Sequence, residues 1–245
     1  MRDIHASGLH SASSAEWDNL GRAIARTADL AGLTECRHHI EVNGWSGYVP
    51  AKDSKGAPNE AECSIIWDDT VFGPEHPTGD TQGYAWLTRR PFYTGKGAKR
   101  GGVVATWVLL SHVRTDQTVL RVVAHMPSSV QARDKFGKKL ARNLAWRSAL
   151  SGMVALVREL ELVLDPDVII VSADFNVDFD RRSWRDRVAR PLGSLKRAGL
   201  VLQPAKGGTL GDRTIDAHAT SLRPEMVRVM DRVNGFDHRP VHLSN

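Results

Sequence analysis

The residues of this 245-residue chain that could do chemistry are polar side chains at the ends of short apolar runs. Such runs predict strands of a buried sheet, and the ends of neighbouring strands meet in a common cleft. Five places share this pattern and together supply carboxylates, an amide and two imidazoles: Glu35, His125, Asp174 with Asn176, Asp216, and Asp237 with His238. Oxygen-rich ligand sets suit Mg²⁺ or Mn²⁺, whereas zinc prefers more His or Cys. The pattern therefore predicts a site for a hard divalent cation.

The strands that must position these residues are predicted from β-prone runs bounded by turn residues. Eight runs have this character: 30–36, 63–67, 103–110, 118–125, 167–172, 214–220, 226–230 and 240–243. The runs 103–110 and 118–125 are expected to pair antiparallel, and 167–172 has the continuous apolar centre of a fully buried strand. Segment 43–60 is rich in Gly, Ser, Pro and Lys, so we predict a loop there.

Helices are predicted at three places. Ser13 and Glu16 have the spacing of a capping box and open a helix with one apolar face. Residues 144–160 have the periodicity of a long amphipathic helix. Residues 184–190 predict a charged helix that ends at Pro191. Strands interrupted by a few helices, with no repeat and no change of composition, indicate one α/β domain.

At these residues the sequence resembles the endonuclease/exonuclease/phosphatase superfamily, the metal-dependent phosphoesterases that include pancreatic-type deoxyribonucleases and abasic-site endonucleases. Five short segments resemble the family's motifs in the family's order: Thr34-Glu35 (with Thr where Gln is usual), Ala124-His125-Met126, Ala173-Asp174-Phe175-Asn176, Ile215-Asp216 and Phe236-Asp237-His238. The resemblance implies a two-sheet α/β sandwich of the deoxyribonuclease I-like type, with helices on the outer faces. We expect this fold as a single domain over residues 1–245.

The resemblance also implies a role for each acidic or amide residue of the motifs. Glu35 and Asp237 would hold the divalent ion. Asp174 would orient or deprotonate the attacking water, and Asn176 would position the phosphate or that water. The implied cofactor is Mg²⁺ or Mn²⁺.

Two imidazoles complete the implied site. His238 would be held in one tautomer by Asp216 and would transfer a proton or stabilise the phosphate. His125 would lie on the opposite side of the phosphate. In the deoxyribonuclease branch this second His is paired with a Glu, and Glu62, before the 63–67 strand, could project toward His125 as that partner.

The N-terminus departs from the family pattern. Family members usually begin with a strand whose Asn helps to bind the metal or its water. This chain begins with residues 1–5, which leave room for only a stub, so we expect a truncated first strand with Asp3 as a metal ligand in place of Asn. Alternatively, the true strand begins upstream of Met1. His5 has no acidic company in the motifs and is assigned to the surface or the core. The segment after His125 also lacks the Tyr of abasic-site endonucleases.

Charge is distributed unevenly along the chain, whose formal net charge is +5. Residues 1–88 carry 6 basic and 13 acidic side chains, whereas residues 89–245 carry 27 and 15. A basic half favours a polyanionic partner, here a nucleic acid. The best candidates for phosphate contacts lie in an acid-free, Gly-containing stretch: Arg89, Arg90, Lys96, Lys99 and Arg100. The basic clusters within 133–147 and 181–190 fit solvated helix faces equally well.

Composition excludes several classes of protein. The chain is 41% hydrophobic and 25% charged, which is typical of a globular protein and excludes disorder throughout. No apolar run approaches the roughly 20 residues of a membrane span, and the N-terminus has no signal-peptide pattern. We therefore expect a cytoplasmic protein with no membrane partner, and we assume a monomer. Cys36 and Cys63 lack CxxC spacing and are expected to be buried thiols.

These observations predict a Mg²⁺- or Mn²⁺-dependent phosphodiesterase, a nuclease that hydrolyses DNA or RNA by in-line attack of water. Two alternatives stay open. The same motifs would serve a phosphatase or a phospholipid or phosphoinositide phosphoesterase. A nucleic-acid-binding protein with an incomplete metal site would bind without turnover.

Overall fold

In the computed structural model, two β-sheets pack face to face and helices cover their outer faces. The structure describes the following residues: 1–7, 14–36, 40, 42–50, 63–75, 81–90, 92–93, 99–127, 141–179, 185–205, 207–211, 213–231, 233 and 238–245.

The first sheet has six strands: β1 (Arg2–Ala6), β2 (Leu30–Thr34), β3 (Trp45–Tyr48), β4 (Cys63–Asp68), β14 (Met226–Val229) and β15 (Val241–Ser244). Their order across the sheet is β14-β15-β1-β2-β4-β3. β1 lies inside the sheet, parallel to β2 and antiparallel to β15. β1 pairs along four residues on each side.

The second sheet has seven strands: β5 (Phe72–Pro74), β6 (Gln82–Thr88), β9 (Val103–His112), β10 (Thr118–His125), β11 (Val168–Asp174), β12 (Val201–Pro204) and β13 (Asp216–Thr220). Six of them run in the order β12-β13-β11-β10-β9-β5, and β6 also pairs with β9. β7 (Phe92–Tyr93) and β8 (Lys99–Arg100) form a separate two-stranded pair.

Three apolar clusters hold the layers together. Helix α1 (Ser14–Thr27) buries Leu20 and Ile24, one turn apart, against the outer face of the first sheet. Helix α2 (Ala141–Leu164) and helix α3 (Arg185–Arg197) cover the outer face of the second sheet. The third cluster, with Ile65 and Ile170, lies between the sheets. Full burial of an Ile or Leu side chain contributes about 1.5–3 kcal/mol, so these clusters stabilise the two-sheet sandwich predicted from the resemblance.

Strand alternation decides which polar residues lie between the sheets. In β1, Ile4 and Ala6 pack with α1, so Asp3 and His5 face the second sheet. The same alternation in β10, β11 and β13 turns buried polar residues toward the first sheet, among them Arg121, Ser172, Asp216 and His218. The inner faces are apolar at one end of the sandwich and become polar toward the end where β10 and β11 finish.

Two element predictions are wrong. Segment 43–60 is not loop throughout, because β3 pairs with β4 and places Trp45 and Tyr48 in half-buried positions. Helix α3 does not end at Pro191 but continues six residues beyond it to Arg197. A proline inside a helix removes one backbone hydrogen bond, but Leu195 beyond it is fully buried in the core, which favours continuation.

Candidate active site

The centre of the site is a row of three side chains on adjacent strands. β10 and β11 are parallel, and their register places His125 beside Asp174. β11 and β13 are antiparallel, and their register places Asp174 beside Asp216. Neighbouring strands lie about 4.8 Å apart, so the register alone brings His125, Asp174 and Asp216 together. The sequence predicted this convergence from strand ends, and the structure brings these residues together.

His238 joins the row through Asp216. Nδ1 of His238 lies 2.8 Å from Oδ2 of Asp216, and both side chains are buried. An ionised carboxylate only accepts hydrogen bonds, so a neutral His238 ring donates from Nδ1 and has its lone pair on Nε2. Thr209 Oγ1 accepts hydrogen bonds from the backbone N–H groups of Ile215 and Asp216, which fixes the start of β13. The predicted Asp216–His238 pair is therefore present.

Asp174 and Asp216 are buried together, and their surroundings push their pKa values apart. Burial, and then the charge of Asp216, raise the pKa of Asp174 to about 7, although His238, His125 and the Asn176 backbone N–H lower it in part. Burial also raises the pKa of Asp216, but the hydrogen bond from His238 and the close approach of His5 outweigh it and hold that pKa well below its usual range. Such divergent carboxylates are typical of an acid–base site.

The loop after β11 holds Asn176 in a fixed orientation. Its φ of 53° is in the left-handed region, which Asn tolerates better than most residues. The Asn176 N–H donates to Oδ1 of Asp174 at 2.7 Å, and its Nδ2 donates to the Met126 carbonyl at 2.8 Å. The Phe175 carbonyl accepts a hydrogen bond from Trp146 Nε1 of α2 at 2.8 Å. The amide of Asn176 is thus tied to β10 as well as to Asp174.

His125 lies between two carboxylates. Its Nε2 is 3.8 Å from Oε1 of Glu35 and 3.8 Å from Oδ2 of Asp174. Glu35 follows β2 with a φ of 61°, and its partial exposure, like that of His125, puts both at the mouth of the site. Glu62, the predicted partner of His125, lies outside the described residues.

Asp3, predicted as a metal ligand, does not lie at the row of His125, Asp174 and Asp216. It is fully buried between the sheets, with Oδ1 3.0 Å from Nε of Arg121 and Oδ2 3.2 Å from Nδ1 of His218. A guanidinium at this distance already balances the Asp3 charge. The N-terminal strand turns His5 toward the site instead, with Nε2 3.3 Å from Oδ1 of Asp216. The alternation of polar and apolar residues along 3–7 was the signal that could have identified His5.

The structure describes four of the five basic residues predicted to contact phosphates, Arg89, Arg90, Lys99 and Arg100. Arg89 and Arg90 are exposed and follow β6, whose end pairs with Val103 at the start of β9. That end of β9 lies beside the end of β10, so both arginines are at the same end of the sandwich as His125. The guanidinium of Arg89 lies 5.0 Å from the centre of the Trp86 ring. Lys99 and Arg100 form β8.

Two further predictions, Lys96 as a phosphate contact and Asp237 as a metal ligand, concern residues outside the described ranges. Cys36 and Cys63 are buried thiols, as predicted. Among the helices that the structure describes, none combines the length and apolar character that crossing a membrane requires.

Comparison with known proteins identifies the fold. No protein-family model and no curated protein matches the sequence. An endonuclease/exonuclease/phosphatase family protein from Bacteroides thetaiotaomicron superposes with a TM-score of 0.69 at 16% identity, covering 99% of this chain and 93% of that one. A mannosyl-6-phosphatase from the same species gives 0.69 at 15% identity, covering 100% and 98%. D. rerio TDP2, complexed with single strand DNA product, gives 0.65 at 10% identity, covering 99% and 97%.

The chain has the endonuclease/exonuclease/phosphatase fold. The resemblance drawn from five short motifs and the predicted deoxyribonuclease I-like sandwich are both confirmed. Identities of 10–16% establish the fold alone, so the chemistry must be argued from the residues of this chain.

The side chains at the row fit a divalent cation. Donor atoms of Asp174, Asp216 and His238 lie within 4.8 Å of one another, and Oδ1 of Asp216 is buried without a hydrogen bond. Burial and the charge of Asp216 raise the pKa of Asp174, and a bound cation would offset both effects. The endonuclease/exonuclease/phosphatase fold here therefore presents a set of oxygen donors of the kind that Mg²⁺ and Mn²⁺ prefer.

Proposed function

We propose that this protein is a Mg²⁺- or Mn²⁺-dependent phosphodiesterase that hydrolyses a nucleic acid. The observation that carries this proposal is the row His125, Asp174 and Asp216, with His238 bonded to Asp216, at one end of the sandwich. Two buried carboxylates with divergent pKa values and two imidazoles form a set that can move protons and neutralise a phosphate.

Glu35 and Asp237 would hold the ion, as the resemblance implies, with the carboxylates of the row close by. When bound, the ion polarises a phosphate oxygen and balances the charge on the leaving oxygen. Glu35 has the partial exposure that a metal ligand open to substrate needs. Asp3 has no part in this set, because its charge is balanced by Arg121 away from the row.

Asp174 is proposed to orient the attacking water and take its proton. A pKa of about 7 in the metal-free protein is matched to proton transfer near neutral pH. Asn176 keeps this carboxylate in place through its backbone N–H. Because the carboxylate is already oriented, no covalent enzyme intermediate is required.

His238 and His125 are proposed to approach the phosphate from different directions. Asp216 holds the His238 ring so that Nε2 can exchange a proton or donate to a phosphate oxygen. His125 lies on the other side of Asp174, next to Glu35, where a charged imidazole would be stabilised by two carboxylates.

A nucleic acid is the proposed substrate because the basic surplus lies after residue 88 and two of its exposed arginines are at this end of the sandwich. Arg89 and Arg90 are separated from β10 by β9 and β6, a distance of about 10 Å at normal strand spacing. That distance would let them contact phosphates neighbouring the one that reacts. The D. rerio TDP2 structure, complexed with single strand DNA product, supports this choice.

A second candidate is a phosphatase acting on a small phosphate monoester. It is favoured by the likeness to the mannosyl-6-phosphatase. That likeness has a TM-score of 0.69, against 0.65 for D. rerio TDP2, and covers 98% of the phosphatase chain. This candidate uses the same row and differs only in what the arginines contact.

The test is a substrate panel with purified protein: supercoiled plasmid, single-stranded oligonucleotides, and mannose 6-phosphate. We expect Mg²⁺-dependent cleavage of nucleic acid that EDTA stops and Asp174→Asn abolishes. Asp165→Asn, the same change at an exposed residue just beyond α2, is the matched control and should retain the activity. Turnover of the monoester alone would favour the phosphatase, and salt-sensitive binding with no turnover of any substrate would reject both enzymes.

A further inference from the structure

Asp216 is contacted by two imidazoles, one on each oxygen. Oδ2 is 2.8 Å from Nδ1 of His238, and Oδ1 is 3.3 Å from Nε2 of His5. The sequence motifs account for His238 and leave His5 unassigned. Oδ2 is hydrogen-bonded, whereas the approach of His5 to Oδ1 is a close contact that does not meet hydrogen-bond geometry, and rotation about the Cβ–Cγ bond of Asp216 would disturb both. The second imidazole, His5, therefore restricts the orientation of the Asp216 carboxylate.

His5 is held in place by its strand and by the sheet opposite. It is fully buried on β1, and β1 is paired on one side with β15 and on the other with β2. Its ring stands edge-on to His218, with ring centres 6.3 Å apart and an interplanar angle of 81°. His218 is itself fixed, with Nδ1 2.7 Å from Ser172 Oγ and Nε2 3.2 Å from the Val241 carbonyl.

A buried ion pair between Arg121 and Asp3 lies next to His5 on the same face of β1. Arg121 reaches across from β10 to Asp3, two residues before His5 on the same strand face. Gly32, opposite His5 on β2, leaves space for the Arg121 side chain, because a Cβ at position 32 would lie 2.4 Å from Nη2 of Arg121. His5 thus has little freedom to turn away from Asp216.

The ionised carboxylate of Asp216 determines which tautomer of His5 is favoured. An ionised carboxylate accepts and does not donate, so the neutral ring has its proton on Nε2. Neither ring nitrogen of His5 has a hydrogen-bond partner within the described part of the chain, and Oδ1 of Asp216, likewise unpartnered, lies 3.3 Å from Nε2.

We propose that His5 is a positioning residue that holds Oδ1 of Asp216, so that Oδ2 stays aligned with His238. This inference rests on the proposed phosphoesterase function for its kinetic consequence. His5 acts through Asp216 and is not proposed to touch the substrate.

The kinetic test compares His5→Leu with His5→Gln. Leu fills a similar space without a donor, whereas the Gln amide nitrogen is as many bonds from Cα as Nε2 of His. If this contact contributes as much as a hydrogen bond to a charged group, its loss corresponds to about a tenfold fall in kcat for His5→Leu, with KM unchanged and with kcat largely restored in His5→Gln. His242→Leu is the matched control, a buried histidine on β15 whose ring nitrogens make no hydrogen bond to described residues.

A second readout does not depend on activity. In the metal-free protein, the Nδ1–H proton of His238 should give a downfield NMR signal from its hydrogen bond to Asp216. We expect this signal to weaken or broaden in His5→Leu and to persist in His5→Gln and His242→Leu. An unchanged signal and an unchanged kcat in a folded His5→Leu protein would overturn the positioning role. Equal defects in the Leu and Gln variants would also overturn it. A wild-type protein that shows the NMR pattern but no turnover would reject the proposed function and keep the positioning role.

Discussion

Replacing Asp174 by Asn should stabilise the metal-free protein at alkaline pH while it removes the carboxylate that we propose activates water. Burial beside Asp216 raises the pKa of Asp174 from 3.8 to about 7. The folded protein therefore keeps a proton that the unfolded chain releases between these two pH values. Each pKa unit corresponds to about 1.4 kcal/mol, so ionising Asp174 in the folded state costs about 4 kcal/mol.

The sign follows from the direction of the shift. A group whose pKa is raised on folding contributes its full stability below pH 3.8 and loses it as the pH rises through about 7. The pKa of Asp216 is lowered on folding, so the change in stability that comes from its titration occurs at a pH below about 4, outside the range of this experiment. Asn has the shape of the protonated acid and can still accept the hydrogen bond from the Asn176 N–H.

The assay is urea unfolding of both proteins in EDTA at pH 5 and pH 8. At pH 5 the unfolded chain has already released the proton, so we expect a gain of about 2 kcal/mol for Asp174→Asn there, rising to about 4 kcal/mol at pH 8. Mg²⁺ at pH 8 should raise the stability of the wild-type protein more than that of the variant. Equal pH dependence in the two proteins would refute the electrostatic reasoning, and a variant less stable than wild type at pH 8 would reverse its sign.

Two further outcomes follow from the geometry. Gly32→Ala should lower the free energy of unfolding by about 1–3 kcal/mol, because its Cβ would meet Arg121 and Val123, whereas Gly73→Ala has open space and should be neutral in the same urea experiment. Arg89→Ala should raise KM for an oligonucleotide while kcat stays constant. The slope of log KM against log salt should fall by about one, the value expected for the loss of one phosphate contact. An unchanged salt dependence would remove Arg89 from the substrate surface.

The sequence predicted the part of the site that lies on strand ends. His125 and Asp174 end strongly apolar runs, Asp216 lies within the predicted run 214–220, and pairing of the three strands forces these residues into one row. Alternation and apolar content are local properties of the chain, so this part could be predicted without the fold.

The N-terminal strand could not be assigned in the same way. Whether Asp3 or His5 reaches the row depends on which neighbours β1 pairs with, and those neighbours come from residues about 25 and 240 positions further along the chain. Arg121, which forms an ion pair with Asp3, lies in a different sheet. Such long-range pairing is not encoded in the five residues of β1.

Two other errors have the same origin. β3 is short and has little strand character, and its pairing with β4 is what orders it. Helix α3 passes through Pro191 because Leu195 beyond it packs into the core that α2 shares. In both cases a tertiary contact outweighed the local preference of the chain.

The most direct measurement is the initial rate of cleavage of a fluorescent single-stranded DNA oligonucleotide at saturating Mg²⁺, compared between wild type and Asp216→Asn and repeated in EDTA. We predict cleavage by the wild type that stops in EDTA and falls at least about a hundredfold in Asp216→Asn, because His238 loses its carboxylate partner. Cleavage that persists in EDTA, or that is unaffected in Asp216→Asn, would contradict a metal-dependent phosphoesterase centred on this row.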